Sequence, residues 1–256
     1  MTLDQLSSKF KNWLDSDYKV KKILVSINYH LFKHKSWGKV VSLSTKDKFS
    51  EIYRNNLWNN EESRSGGGST VSRTSEIRNK LPEMFRRLGI GTVCDAGCGD
   101  FNWMRHVDLG NIRYIGVDIV KKMIDENNAR YGKANVSFLE RDVIIEELPT
   151  SDLILCRECL FHLSFQDVFS AIINFKKSGA KYLLTTHHPD FGENVDIVTG
   201  LCRGINFEIS PLNFPKPIHA ISENLTEKCL ALWVLDEIDP SRFQRDWRKS
   251  ECSLSQ

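Results

Sequence analysis

Over residues 91–188, short apolar runs alternate with helix-patterned segments, and this alternation restricts the fold more than any other feature of the chain. GTVCDAGCGD (91–100) reads as a strand entering a glycine turn, and NIRYIGVDIV (111–120) as a second strand ending in an acid. ANVSFLERDV (134–143) is a third, SDLILCREC (151–159) a fourth and AKYLLTTHH (180–188) a fifth. VKKMIDENNARY (120–131) and FQDVFSAIINFKKSG (165–179) carry apolar residues at helical spacing, the latter closed by Gly179. Buried strands alternating with helices predict βαβ units and a parallel sheet covered on both faces. Downstream, PLNFPKPIH (211–219) holds three prolines and cannot be a central strand. KCLALWVLDEI (228–238) is strand-like and is expected to close one edge of the sheet.

The chain has 256 residues, enough to bury a core without disulfide or metal staples. Apolar residues at 41% and charged residues at 27% argue against full-length disorder. A net charge of +2 removes a broad basic field, so no nucleic-acid partner is implied. No run is apolar for the length a bilayer requires, so no membrane span is expected. The opening MTLDQLSSKFKNWLDSD carries Asp4 and Asp15 and does not read as a secretory signal. The seven cysteines are odd in number and lie mostly in or beside apolar runs, which suits free thiols in a reducing cytoplasm.

The first eighty residues follow a different pattern. Leu3, Leu6, Phe10 and Leu14 recur at helical spacing, and residues 20–32 form an apolar, basic run. Gly66, Gly67 and Gly68, flanked by serines, suit a flexible linker. A glycine loop that opens a helix also lets backbone N–H groups approach a ligand, and Ile77, Leu81, Met84, Phe85 and Leu88 begin such a helix.

In open α/β sheets, ligands bind beyond the carboxyl ends of the strands where the strand order reverses. The first tip is Asp95-Ala96-Gly97-Cys98-Gly99. Its third dinucleotide-motif glycine is absent, with Asn102 in that place, and no G-x-x-x-x-G-K-[ST] phosphate loop exists in the chain. An acid followed by Gly97 and Gly99 suits a ligand cation and not a pyrophosphate. Asp118 closes the next strand, where a carboxylate accepts ribose hydroxyls. Asp142 and Val143, at the third tip, can offer a side-chain acceptor or a backbone N–H to an adenine edge. Singly, each tip is as consistent with a turn or a helix cap. In order and at this spacing, they point to a nucleoside that carries an amino acid.

Residues 93–184 resemble the class I S-adenosylmethionine-dependent methyltransferases: DAGCGD matches their first motif, GVD the second, RDV the third and DLILCRECLFHL the fourth. The usual third glycine of the first motif falls at Phe101, where this chain departs. W-x-x-x-E-S-x-S-G-x-G-S-T (58–70) and NFPKPIHAI…LALW are similar to a bacterial group associated with polysaccharide and small-metabolite pathways. The resemblance implies a doubly wound, mostly parallel, seven-stranded α/β sheet with a helical N-terminal arm. It implies S-adenosylmethionine as cofactor and S-adenosylhomocysteine as product. Asp95, Gly97 and Gly99 would hold the methionine end, Asp118 the ribose, Ile119 the adenine face, and Asp142 with Val143 the base. The backbone carbonyl of Arg157 would take the ammonium. The 65–70 loop is a linker or a lid, and as a lid would place Ser69 or Thr70 on the methionine carboxylate beside Trp58. The corresponding divisions are 1–75 for the arm and glycine-rich lid or linker, 76–240 for the methyltransferase domain and 241–256 for a polar tail.

Methyl transfer to a hydroxyl also requires a base, and a neutral histidine suits that task. His162, after the fourth strand, and His187, at the fifth tip, are the candidates, with His188 beside them. Glu158 is read as a helix cap. Asp190 with His187 and His188 has ligand-like spacing, but no metal is expected. Arg64, Arg73 and Arg203 suit an anionic, phosphorylated or glycosidic acceptor. The expected acceptor is small and polar, first a sugar-type hydroxyl. The alternatives are a small amine, or a non-catalytic protein that only binds the cofactor.

Overall fold

All five strand segments form strands in the computed structural model, which describes residues 42–223 and 228–243. They are β1 (Thr92–Ala96), β2 (Arg113–Asp118), β3 (Val136–Glu140), β4 (Leu153–Cys156) and β5 (Tyr182–His187). β6 (His219–Ser222) and β7 (Cys229–Val234) complete a seven-stranded sheet of order β3-β2-β1-β4-β5-β7-β6. β1 to β5 pair in parallel, and β7 is antiparallel to both its neighbours. The order reverses between β1 and β4, which opens a crevice beyond their carboxyl ends.

The described helices are α1 (Thr45–Arg54), α2 (Ser75–Leu88), α3 (Lys121–Tyr131) and α4 (Phe165–Lys177). Alternation along the strands sends side chains to two separate cores. Cys94, Ala96, Ile154, Cys156 and Leu183 meet Val168, Ile172 and Phe175 of α4 on one face. Val93, Tyr114, Leu153, Leu155 and Leu184 meet Ile77, Leu81 and Phe85 of α2 on the other. Each valine, leucine, isoleucine or phenylalanine so buried stabilises the fold by about 1.5–3 kcal/mol. Ser164 caps α4 by accepting from Asp167 N at 3.2 Å. α2 stops where Gly89 turns left-handed at φ 66°, and Ile90 N donates to Phe85 O at 2.9 Å.

Two expectations change. β7 does not close the sheet: it lies inside, between β5 and β6, and β6 forms the edge. CLALWV is buried along its middle four residues, so it needs a neighbour on each side, whereas the short, largely exposed β6 follows Pro215 and Pro217 and suits an edge. The polar tail begins with an anchor, because Phe243 is buried and stacks on Phe169 and Phe214 at 5.0 and 5.4 Å. Leu3, Leu6, Phe10, Leu14 and the 20–32 run lie outside the described residues.

Phe101 holds the left-handed backbone of the glycine that the resemblance expects there. Its φ is 58°, beside 84° at Gly97 and 59° at Gly99, so the loop follows the glycine-type course. The left-handed conformation costs a residue with a Cβ about 1–2 kcal/mol. The ring offsets this by packing against Tyr114, Tyr131 and Phe138 at centroid distances of 5.0, 5.4 and 5.0 Å. Phe101→Gly is therefore expected to destabilise the fold by about 2–3 kcal/mol, the loss of a buried ring less the relieved backbone. Denaturant midpoints measure this, and an unchanged or raised midpoint would show that backbone relief wins.

Candidate active site

A cleft opens at the switch point, with about 900 Å³ of space that includes the open solvent at its mouth. Its floor is made of the predicted tips: Asp95, Gly97, Gly99, Asp118, Ile119, Asp142, Val143 and Arg157 all line it. Gly97 presses so closely on Cys159 that a Cβ would lie 2.8 Å from its Sγ, and a Cβ on Gly99 would collide with the Ser65 hydroxyl. Both glycines are therefore required by packing as well as by φ.

Asp118 is oriented across the glycine turn. Its Oδ2 accepts from Gly99 N and its Oδ1 from Val120 N, each at 3.1 Å. Burial nevertheless pushes its carboxyl up to about 6. Asp95 is buried, and burial raises it to about 7 even though Tyr114 donates its hydroxyl at 2.6 Å. At the third tip, Asp142 Oδ1 accepts from Ile144 N at 2.9 Å, and Asn174 ties down the Val143 carbonyl at 3.0 Å.

These raised carboxyls make stability depend on pH. A carboxyl with a raised folded-state pKa holds its proton more tightly folded than unfolded, so stability falls as pH rises from about 4 through 6. For Asp118 the loss is about 2–3 kcal/mol, at 1.36 kcal/mol per pH unit. Asp118→Asn removes it, so the ligand-free variant should gain stability over the parent at pH 8 and little at pH 4. Melting curves across that range measure the difference, and parallel curves would remove the assignment.

The 58–70 segment is clasped to the floor and is no loose linker. The Asp100 carboxylate accepts from Ser63 Oγ at 3.0 Å, Arg64 N at 2.7 Å and Ser65 Oγ at 3.3 Å. Asn102 Nδ2 donates to Glu62 at 2.8 Å and to the Ser69 carbonyl at 3.0 Å. Ser69 lines the cleft, but Thr70 does not: its hydroxyl donates to Gly67 O at 3.1 Å within its own turn. Trp58 lines the cleft and stacks on His162, with centroids 5.3 Å apart and planes at 29°.

α1 supplies a wall that sequence reasoning missed. Thr45, Phe49 and Tyr53 recur every four residues and all face the cleft. Tyr53 donates to Glu126 of α3 at 2.9 Å, and burial pushes its hydroxyl up to about 12. The Ser44 cap and this aromatic spacing were the available signals.

The three histidines do not converge. His162 lines the cleft, and its Nδ1 is 2.8 Å from the Leu201 carbonyl. A carbonyl only accepts, so Nδ1 carries the hydrogen, and in the neutral ring Nε2 is the basic nitrogen. His187 is buried instead between Phe207 and Trp233. It accepts from Phe207 N at 3.2 Å, and Nε2 faces Glu208 at 3.2 Å. His188 likewise accepts from Ile205 N at 3.2 Å. The tip of β5 is thus turned toward residues 205–208, away from the cleft.

Glu158 is not a helix cap, a role Ser164 fills. It holds φ 56°, lies against Gly68 and pairs with Lys228 and Arg157. Burial lowers Lys228 to about 7. Arg203 is also buried, donating to Leu163 O at 2.6 Å over the Phe165 ring, and so offers no surface charge to an acceptor. Arg64 lines the cleft and Arg73 does not. Among the described residues, no group of three His, Cys, Asp or Glu is placed to hold a metal ion, and no helix is long and apolar enough to cross a membrane.

Residues 93–179 match a family of methyltransferase domains. Human N-acetylserotonin methyltransferase, solved with S-adenosylmethionine, superposes with a TM-score of 0.54 at 12% identity, over 74% of this chain and 59% of that one. This chain thus spans about three fifths of the human one. N-methyltransferase NodS from Bradyrhizobium japonicum WM9, with S-adenosylhomocysteine, gives 0.53 at 17% identity, over 72% and 97%. Magnesium protoporphyrin IX methyltransferase from Synechocystis PCC 6803, with S-adenosylmethionine, gives 0.51 at 16%, over 75% and 98%. A search of curated proteins finds no sequence match. At these identities the likeness to the solved structures is one of fold. The match to the methyltransferase-domain family over residues 93–179 thus lies within a seven-stranded Rossmann-like fold shared with these solved methyltransferases.

Proposed function

We propose that this chain moves a methyl group from S-adenosylmethionine to a hydroxyl of a small polar acceptor, first a sugar or sugar-derived metabolite, leaving S-adenosylhomocysteine. The observation that carries this reading is one cleft holding Asp118, fixed by two backbone N–H groups, beside buried Asp95 and the Gly97–Gly99 turn. That donor and acceptor set fits an adenosyl amino acid: it offers carboxylates to hydroxyls and an ammonium, and no phosphate cradle. When bound, the cofactor supplies an electrophilic methyl carbon on sulfur.

The chain's residues have distinct roles in this proposal. Asp118 accepts from the ribose hydroxyls, and Ile119 and Val143 face the base beside Asp142. Asp95, Gly97, Gly99 and Ser69 take the amino-acid end. His162 Nε2 takes the acceptor's proton, with Trp58 stacked on its ring to hold it in place. The clasped 58–70 segment acts as a lid that excludes water. In the same reading, residues 1–75 are arm and lid, 76–240 the catalytic domain and 241–256 a tail, in a cytoplasmic protein.

The test has two arms. Calorimetry with S-adenosylhomocysteine should give saturable heat. Methyl-tritiated S-adenosylmethionine should label a hydroxyl in a panel of sugars, sugar phosphates and amines. Label only in amines would replace the acceptor. Binding with no transfer to any acceptor would favour a cofactor-binding protein without catalysis. No heat would end the cofactor assignment.

A further inference from the structure

One end of the cleft holds two opposite charges that the resemblance uses only in part. Asp95 and Arg157 both line it and are 2% and 4% exposed. Arg157 is committed on one side: Nε and Nη2 donate to Glu223 at 3.3 and 2.6 Å, and Nη2 also donates to the Gly68 carbonyl at 2.9 Å. Its guanidinium lies 5.3 Å from the Trp103 ring centroid. Nη1, by contrast, is buried and makes no hydrogen bond among the described residues. A buried donor left without an acceptor costs about 1–3 kcal/mol, and more when charged. The guanidinium fork suits a carboxylate best.

Asp95 is the converse. Ionised, it only accepts, and Tyr114 occupies one oxygen. Burial raises its carboxyl, and Tyr114 and Arg157 each pull it back, so Asp95 and the guanidinium are close enough to act on one another. A buried anion and a buried cation at one end of a cleft are the complement of an α-amino acid, with its ammonium toward Asp95 and its carboxylate toward Arg157.

We infer that the side chain of Arg157, through Nη1, is the anchor for the carboxylate of the cofactor's methionine tail, with Asp95 on the ammonium. This rests on the cofactor reading above and sharpens it, since the resemblance gives Arg157 only a backbone carbonyl. The same guanidinium holds the Gly68 carbonyl, so the tail and the lid are fastened to one side chain.

Calorimetry with three probes tests the inference: S-adenosylhomocysteine, its decarboxylated analogue, which keeps the ammonium, and 5′-methylthioadenosine, which lacks both groups. The parent should prefer S-adenosylhomocysteine over the decarboxylated analogue by roughly 10–100-fold, the worth of one charge-assisted hydrogen bond. Arg157→Gln takes from Glu223 its donor at 2.6 Å and leaves Lys228 at 3.6 Å, so Arg157→Gln with Glu223→Gln is the cleaner variant. It should lose that preference and bind 5′-methylthioadenosine as the parent does. A retained preference overturns the inference. So does an equal loss of all three probes, which would mark a purely structural arginine. So does unchanged binding of S-adenosylhomocysteine with a raised acceptor KM, which would move the anion to the acceptor. If the parent binds none of the probes, the cofactor reading fails first and carries this one with it.

Discussion

Replacing His162 by Ala is expected to lower turnover about 10²- to 10⁴-fold, the usual contribution of a positioned general base. The Leu201 carbonyl fixes which nitrogen carries the hydrogen, and Trp58 stacks on the ring of this cleft-lining histidine. Affinity for S-adenosylhomocysteine should stay within about threefold, because loss of a proton acceptor is felt in the transition state and not in cofactor binding. Exogenous imidazole should restore part of the rate. The measurements are single-turnover transfer to the acceptor found by the panel, and calorimetry on the same preparation. Unchanged transfer would remove His162 as the base and would favour an acceptor nitrogen that attacks through its own lone pair.

Asp118→Ala is expected to weaken S-adenosylhomocysteine binding about 10²- to 10³-fold, two charge-assisted hydrogen bonds at about 1.5–3 kcal/mol each less what water restores. The substitution also strips Gly99 N and Val120 N of their acceptor, so the glycine turn loses its brace. Asp118→Asn keeps one acceptor and should fall between Ala and the parent. Calorimetry above pH 7, where the parent carboxylate is ionised, reads the effect. Equal affinity in all three proteins would mean that the ribose is held elsewhere.

The floor of this cleft was legible in the sequence because strand-tip residues follow from topology. Once the strands run parallel, their carboxyl ends share one edge of the sheet, and Asp95, Asp118 and Asp142 lie at or within two residues of those ends and line the cleft. The walls were less legible. Thr45, Phe49 and Tyr53 reach the cleft through the docking of α1, which is set by contacts such as Tyr53 with Glu126, seventy-three residues away. His187 failed for a related reason: adjacency in sequence to a strand tip says nothing about what covers that tip, and here residues 205–208 do. Phe101 broke the glycine pattern yet preserved its backbone, because three aromatic neighbours on β2, α3 and β3 hold the ring. Side-chain identity alone carries no trace of that support.

Asp100 holds roof and foundation together through one carboxyl group. Detaching the 58–70 segment from the floor therefore takes the rupture of several bonds at once, a rare local opening and not the swing of a loose flap.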